Sequence, residues 1–130
     1  MRNKRLMSRW IKDAVAEEGF ITDETAVIFC SDAYLLDINR KYLGHDYQTD
    51  VITFNYRDPL KPNRISGDIF ISIDRVRENA GKYSATFEKE LRRVMIHGIL
   101  HLCGYCDKSR ADAKMMRTKE NYYLTKSDAL

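Results

Sequence analysis

Residues 97–107 read H-G-I-L-H-L-C-G-Y-C-D. His97 and His101 stand four apart, which on a helix puts both imidazoles on one face, about 6 Å apart along the axis. Two imidazoles so placed are able to share one zinc ion, each through a ring nitrogen at about 2.0–2.1 Å. Gly104 suits the left-handed position that ends such a helix and turns the chain back. Asp107 then offers a carboxylate from a third direction. Zinc accepts two nitrogens and one oxygen, and iron, nickel or cobalt would also suit the set. The spacing follows the zinc-peptidase pattern H-E-x-x-H-x-x-G-x-x-H with two changes. Asp107 takes the third histidine's place, and Gly98 stands where the pattern has its general-base glutamate. The second change removes the group that would deprotonate water for peptide hydrolysis.

Other residues compete for roles. Cys106 is an alternative third ligand to Asp107. Cys103 and Cys106 form a C-x-x-C, but a redox pair opens a helix, where the dipole lowers the thiol pKa, and Cys103 falls at a helix end. Cys30 reads as a core residue. Arg93 lies four before His97 and eight before His101, on the same stripe. There it would present a cation to a phosphate near the metal. It reads equally well as a solvated side chain beside Glu88, Lys89 and Glu90. His45, next to Asp46 in a turn, reads as a surface residue.

The site needs elements to hold it. Phe87, Leu91, Val94, Met95 and Leu102 recur as the apolar side of a helix from about Thr86 to Cys103, ending at Gly104. Met7, Trp10, Ile11, Ala14 and Val15 predict an earlier helix that stops at Gly19. Asp32 is a candidate cap for a helix burying Leu35, Ile38 and Tyr42. Asp74 is another, for a short helix ending near Gly81. Ser109 and Asp112 fit a capping box for a last helix burying Met115, Met116, Tyr122 and Tyr123. The short apolar run Thr25–Cys30 predicts a strand covered on both faces. Ile52, Phe54 and Tyr56 alternate as in a half-buried strand, and the proline-bearing stretch 57–66 reads as a loop. Gly67 opens a third strand, with Ile69, Ile71 and Ile73 on one face. The irregular alternation predicts one small sheet covered by helices.

At 130 residues the chain has the size of a single domain, with enough length to bury a core without disulfides. It has 22 basic and 19 acidic residues, a net charge of +3, which is compatible with nucleic acid without implying it. No apolar run is long enough to span a membrane, and no apolar stretch follows the basic residues at 2–12 to make a secretory signal. The three cysteines do not form a disulfide framework, which points to a reducing, cytosolic setting.

Three stretches, in order, resemble the motifs of the YbeY family of bacterial rRNA maturation factors and predicted endoribonucleases. Residues 97–107 resemble H-G-x-L-H-L-x-G-Y-D-H. D-I-N-R-K-Y-L-G-H-D-Y-Q-T-D-V-I-T-F at 37–54 resembles L-N-x-x-Y-R-x-x-D-x-P-T-D-V-L-S-F. G-D-I-F-I-S at 67–72 resembles G-D-I-x-I-S. The resemblance implies a zincin-like α+β fold with a small mixed sheet, the metal sitting on a long helix and the loop after it. It implies one zinc per chain on His97, His101 and Asp107, and a cytoplasmic role in ribosome assembly. That role includes maturing the 3′ end of the small-subunit rRNA, with rRNA and small-subunit or assembly proteins as partners. Several positions depart from the pattern. Asp107 and Cys106 replace the final His and the Asp before it. Leu43 replaces an Arg, which would move a phosphate contact to Arg40, and Gln48 replaces a Pro. Members usually have a strand before the first helix, and the expectation is that this sequence begins at that helix, which would expose a sheet edge.

The leading expectation is therefore a metal-dependent, single-strand-directed endoribonuclease, residues 1–130 forming one hydrolase domain. Arg93, Lys108 and Arg110 would hold the RNA backbone. With no base at Gly98, the proton would pass to hydroxide, Asp107, a substrate phosphate or the ribose 2′-hydroxyl. Two alternatives are a non-catalytic ribosome-assembly factor with a structural zinc and a zinc peptidase.

Overall fold

Ile65, Ile69 and Ile71 have no solvent exposure, and the strand carrying them is the middle one of three. The computed structural model describes residues 4–127. In chain order these form α1 (Lys4–Glu17), β1 (Ile21–Cys30), α2 (Asp32–Leu43), β2 (Val51–Asn55), β3 (Arg64–Ser72), α3 (Ile73–Lys82), α4 (Phe87–Leu102) and α5 (Arg110–Ser127). β1 runs parallel to β3 and β2 antiparallel to it, so the sheet is mixed and the fold is α+β, as expected.

The two-residue period of β3 divides the core between its faces. Ile65, Ile69 and Ile71 meet α1, α4 and α5 in the main cluster. Phe70 points the other way, to Leu35 and Ile38 of α2 and Ile52 and Phe54 of β2. Helix α1 buries the five residues its periodicity names, and the Trp10 indole N–H donates to the Tyr123 carbonyl at 2.9 Å, joining α1 to α5.

The strand expected from the run at Thr25–Cys30 is present, but it is not covered on both faces. β1 has no buried residue and only one neighbour in the sheet among the described residues, β3. A short apolar run reports β-propensity and not position in the sheet, so an edge strand and a central one read alike. The third strand also begins earlier than Gly67, at Arg64, and ends at Ser72, so Ile73 opens a helix instead.

Ser31 and Ser72, not Asp32 and Asp74, cap α2 and α3. The aspartates link the two helix starts instead: Asp74 accepts from the Asp32 backbone N–H, while Asp32 accepts from Ser72 and Arg75. Tyr42, Met115 and Tyr122 are exposed, contrary to the helix stripes drawn above. Adjacent residues on a helix point about 100° apart, so only one of Met115/Met116 and one of Tyr122/Tyr123 faces the core. Tyr42, in the last turn of α2, sets its ring edge-on to Phe54 beyond the buried stripe.

Helix α4 is the axis of the molecule, with Leu91, Val94, Met95, Ile96, Ile99, Leu100 and Leu102 all buried. Gly98 lets it lie close on the sheet: a Cβ there would sit 2.7 Å from the Ile69 side chain. Thr86 caps its start, accepting from the Lys89 N–H at 3.1 Å. At its end Tyr105 N–H bonds the Leu100 carbonyl and Gly104 N–H the His101 carbonyl, both at 3.0 Å. That pair of bonds, with Gly104 at φ 107°, is a Schellman ending, and it reverses the chain directly beside His101.

Candidate metal centre

One turn of α4 separates His97 from His101, and their Nε2 atoms approach to 3.0 Å. The reversal after Gly104 delivers Asp107 to the same point. Its Oδ2 lies 3.4 Å from His97 Nε2 and 3.5 Å from His101 Nε2. Ligands bound tetrahedrally at 2.0–2.1 Å are spaced about 3.4 Å from one another. The triangle of donor atoms therefore has the size a zinc-like ion requires.

The remaining ring nitrogens are also held. His97 Nδ1 faces Glu120 Oε2 at 2.6 Å, and His101 Nδ1 faces the Tyr105 carbonyl at 2.9 Å. An Nδ1–H donated to each acceptor leaves both Nε2 lone pairs directed at the shared point, the tautomer a metal ligand needs. Glu120 is buried on α5 and also accepts from Arg93 Nη1 at 3.1 Å. Tyr105 is anchored in turn: its hydroxyl donates to Glu18 at 2.6 Å, a carboxylate that also meets Tyr123 and Lys119. A chain of contacts thus runs from α1 through the loop to His101.

Burial is the largest influence on His97 and disfavours its charged form. The hydrogen bond and charge of Glu120, followed by the charges of Asp107 and Asp50, outweigh it and raise the imidazole pKa. Burial raises the Asp50 carboxyl as well, against the lowering effects of His97 and nearby backbone N–H groups. Burial pushes the Cys103 thiol up to about 12, the opposite of a redox nucleophile.

Two clefts open on the cluster, and His97, Asp107, Asp50 and Val51 line both. The larger, about 920 Å³, runs toward the α3–α4 turn and carries Lys89, Arg93 and Arg117. The smaller, about 460 Å³, follows the open side of β2 and adds His101, His45 and Tyr47.

The structure thus brings His97, His101 and Asp107 together as a candidate ligand group. Cys106 is exposed and outside it. Arg93 is not a free cation: it is partly buried and pairs with Glu120 while lining the larger cleft. Arg40 is paired with Asp46 and lines neither cleft, and nor do Lys108 and Arg110 on the exposed surface. Sequence reasoning missed Glu120, although a signal existed. It shares the buried stripe of Met116, Tyr123, Leu124 and Ser127, where a lone carboxylate requires a partner. Asp50 was overlooked too, because nothing in its local spacing ties it to the histidines.

An α+β fold presenting two histidines of one helix and a carboxylate of the following loop to a common point, open to clefts, is the frame of a metal-dependent hydrolase. Residues 1–128 match the family model described as Endoribonuclease YbeY. Endoribonuclease YbeY of Bacteroides thetaiotaomicron is 49% identical over 121 residues, spanning 93% of this chain and 86% of the relative. That of Flavobacterium psychrophilum is 50% identical over 124 residues, spanning 95% and 86%. The solution structure of TM1509 from Thermotoga maritima is 31% identical and superposes with a TM-score of 0.68, over 95% of this chain and 82% of that one. The chain belongs to the endoribonuclease YbeY family, and so to the hydrolytic nucleases.

Proposed function

We propose that this chain is a zinc-dependent endoribonuclease that cuts single-stranded RNA, acting in the cytoplasm on the 3′ end of small-subunit rRNA during ribosome assembly. One zinc would be held by His97, His101 and Asp107. The observation that carries this reading is the donor triangle of 3.0–3.5 Å, with each histidine's second nitrogen already engaged. When bound, such an ion supplies Lewis acidity, polarising a phosphoryl oxygen and making water a better nucleophile at neutral pH.

The protein's own groups do the rest. Glu120 and the Tyr105 carbonyl fix the two imidazoles. Asp107 faces both histidines through Oδ2, which leaves Oδ1 to accept a proton. Lys89 and Arg117 would supply phosphate contacts in the larger cleft, which also holds Asp50, Glu90, Asp107 and Glu120, so binding should weaken as salt rises.

The competing readings find less support. A structural zinc is closed by four protein ligands, whereas three donors and two open clefts describe a catalytic site. Peptidase chemistry needs a base at position 98, and that position is buried against Ile69, where a larger side chain has no room. The test is cleavage of a labelled single-stranded RNA by zinc-loaded protein beside His101→Ala purified identically. Cleavage by the wild type alone is expected. No cleavage by either protein, with one zinc bound per wild-type chain, would sink the proposal in favour of the assembly factor.

A further inference from the structure

The smaller cleft carries a feature the metal chemistry does not use. Helix α2 ends at Gly44, and the next residues are held in place by Asn39, which is only 2% exposed. The Asn39 carbonyl accepts from the His45 N–H at 3.1 Å, and its side-chain amide donates to the Tyr47 carbonyl at 2.8 Å. This clamp fixes the backbone on both sides of Asp46. The His45 and Tyr47 rings stack upon one another, with centroids 5.1 Å apart and planes inclined by 18°. Tyr47 Oη lies 3.0 Å from His45 Nδ1, locking the pair together.

Both side chains are nevertheless exposed, and Tyr47 is 58% accessible. The pair contributes little to the core, yet a buried polar residue is used to hold it. Both rings line the same cleft as His97, His101 and Asp107. No Lys or Arg lines that cleft, whereas the cleft on the other side has Lys89, Arg93 and Arg117. A strand of RNA crossing the metal centre would thus meet these Lys and Arg side chains, set among four carboxylates, on one side and flat aromatic surface on the other. Cations hold phosphates, and aromatic planes hold unpaired bases by stacking.

We propose that the stacked His45–Tyr47 pair is a nucleobase subsite, the platform on which an unpaired base of the RNA next to the cleaved bond stacks. It rests on the nuclease reading above and deepens it, because a stacking platform accepts a base only from an unpaired strand. Thr49 and Asn55, on the same cleft wall, offer polar groups to the edge of that base.

The test measures binding of zinc-loaded protein to a short, fluorescein-labelled single-stranded RNA, at a temperature and time for which gel electrophoresis shows the RNA intact. Stacking of one base is worth roughly fivefold to a hundredfold in affinity. The H45A/Y47A variant should therefore bind about tenfold more weakly, with the salt dependence of binding unchanged, because the Lys and Arg side chains of the other cleft are untouched. H45F/Y47F, which keeps two rings, should bind close to the wild type. An RNA with abasic positions should bind wild type and H45A/Y47A equally, since the two changes remove one interaction. Zinc content and circular dichroism of each variant confirm that only the surface has changed. Unaltered binding by H45A/Y47A overturns the platform, as does an H45F/Y47F variant as weak as the alanine form. Failure of the wild type to bind the RNA at all contradicts the nuclease reading itself, and the platform falls with it.

Discussion

Glu120 decides how His97 presents itself. A carboxylate on Nδ1 fixes the ring and makes it a better donor, and Arg93 pairs with the carboxylate's other oxygen inside the core. Removing that charge should loosen the site without removing a ligand. Glu120→Gln is expected to lower zinc affinity by about 10- to 100-fold, measured by competition with a chromophoric chelator. Unchanged affinity would show that Glu120 only packs. At this scale the candidate ligand group was legible in the sequence, because four-residue spacing and a helix-ending glycine are local facts. Glu120 and Asp50 were not, since each reaches the site through the fold. Asp107 shows the same limit: its spacing made it a candidate, but only the chain reversal at Gly104 decides between it and Cys106 as the side chain turned to the histidines.

Among the elements, α4 was the most legible: its start next to Thr86 and its ending at Gly104 both fall at the bounds read from the sequence. The edge position of β1 was not, because pairing partners are set by topology rather than by composition. Nor was the tie between α1, the loop after α4 and α5 that Glu18 makes, which spans most of the chain. Burial tends to raise the Glu18 carboxyl, but hydrogen bonds from Tyr105, Tyr123 and Lys119 outweigh it and hold it below its ordinary value of 4.5. A carboxylate depressed by folding stabilises the native state above its unfolded pKa, and that stability is lost as pH falls through the folded value. Glu18→Gln should therefore melt at a lower temperature than wild type near neutral pH. The gap should close as the pH falls below 4.5, since wild type alone forfeits this contribution there. A gap constant with pH in thermal melts would contradict the assignment.

The whole molecule is arranged so that one buried helix carries two of the candidate ligands and its neighbours supply the groups that aim them. α5 brings Glu120, the loop after α4 brings Asp107 and Tyr105, and β2 lies along one cleft. Of this the sequence revealed the class of fold and the order of motifs, through resemblance across residues 37–107. The two clefts, one carrying Lys89, Arg93 and Arg117 and the other His45 and Tyr47, were invisible, for their walls come from segments far apart in the chain. The central claim, that one metal ion at this point makes the protein a nuclease, is a claim about the assembled molecule. It is tested most directly by titrating zinc into metal-free protein while following bound zinc and RNA cleavage in the same samples. Cleavage should rise in proportion to bound zinc and saturate at one ion per chain, and both should be lost in His101→Ala. Full cleavage by the metal-free protein, or zinc binding at this ratio that survives His101→Ala, would contradict the account.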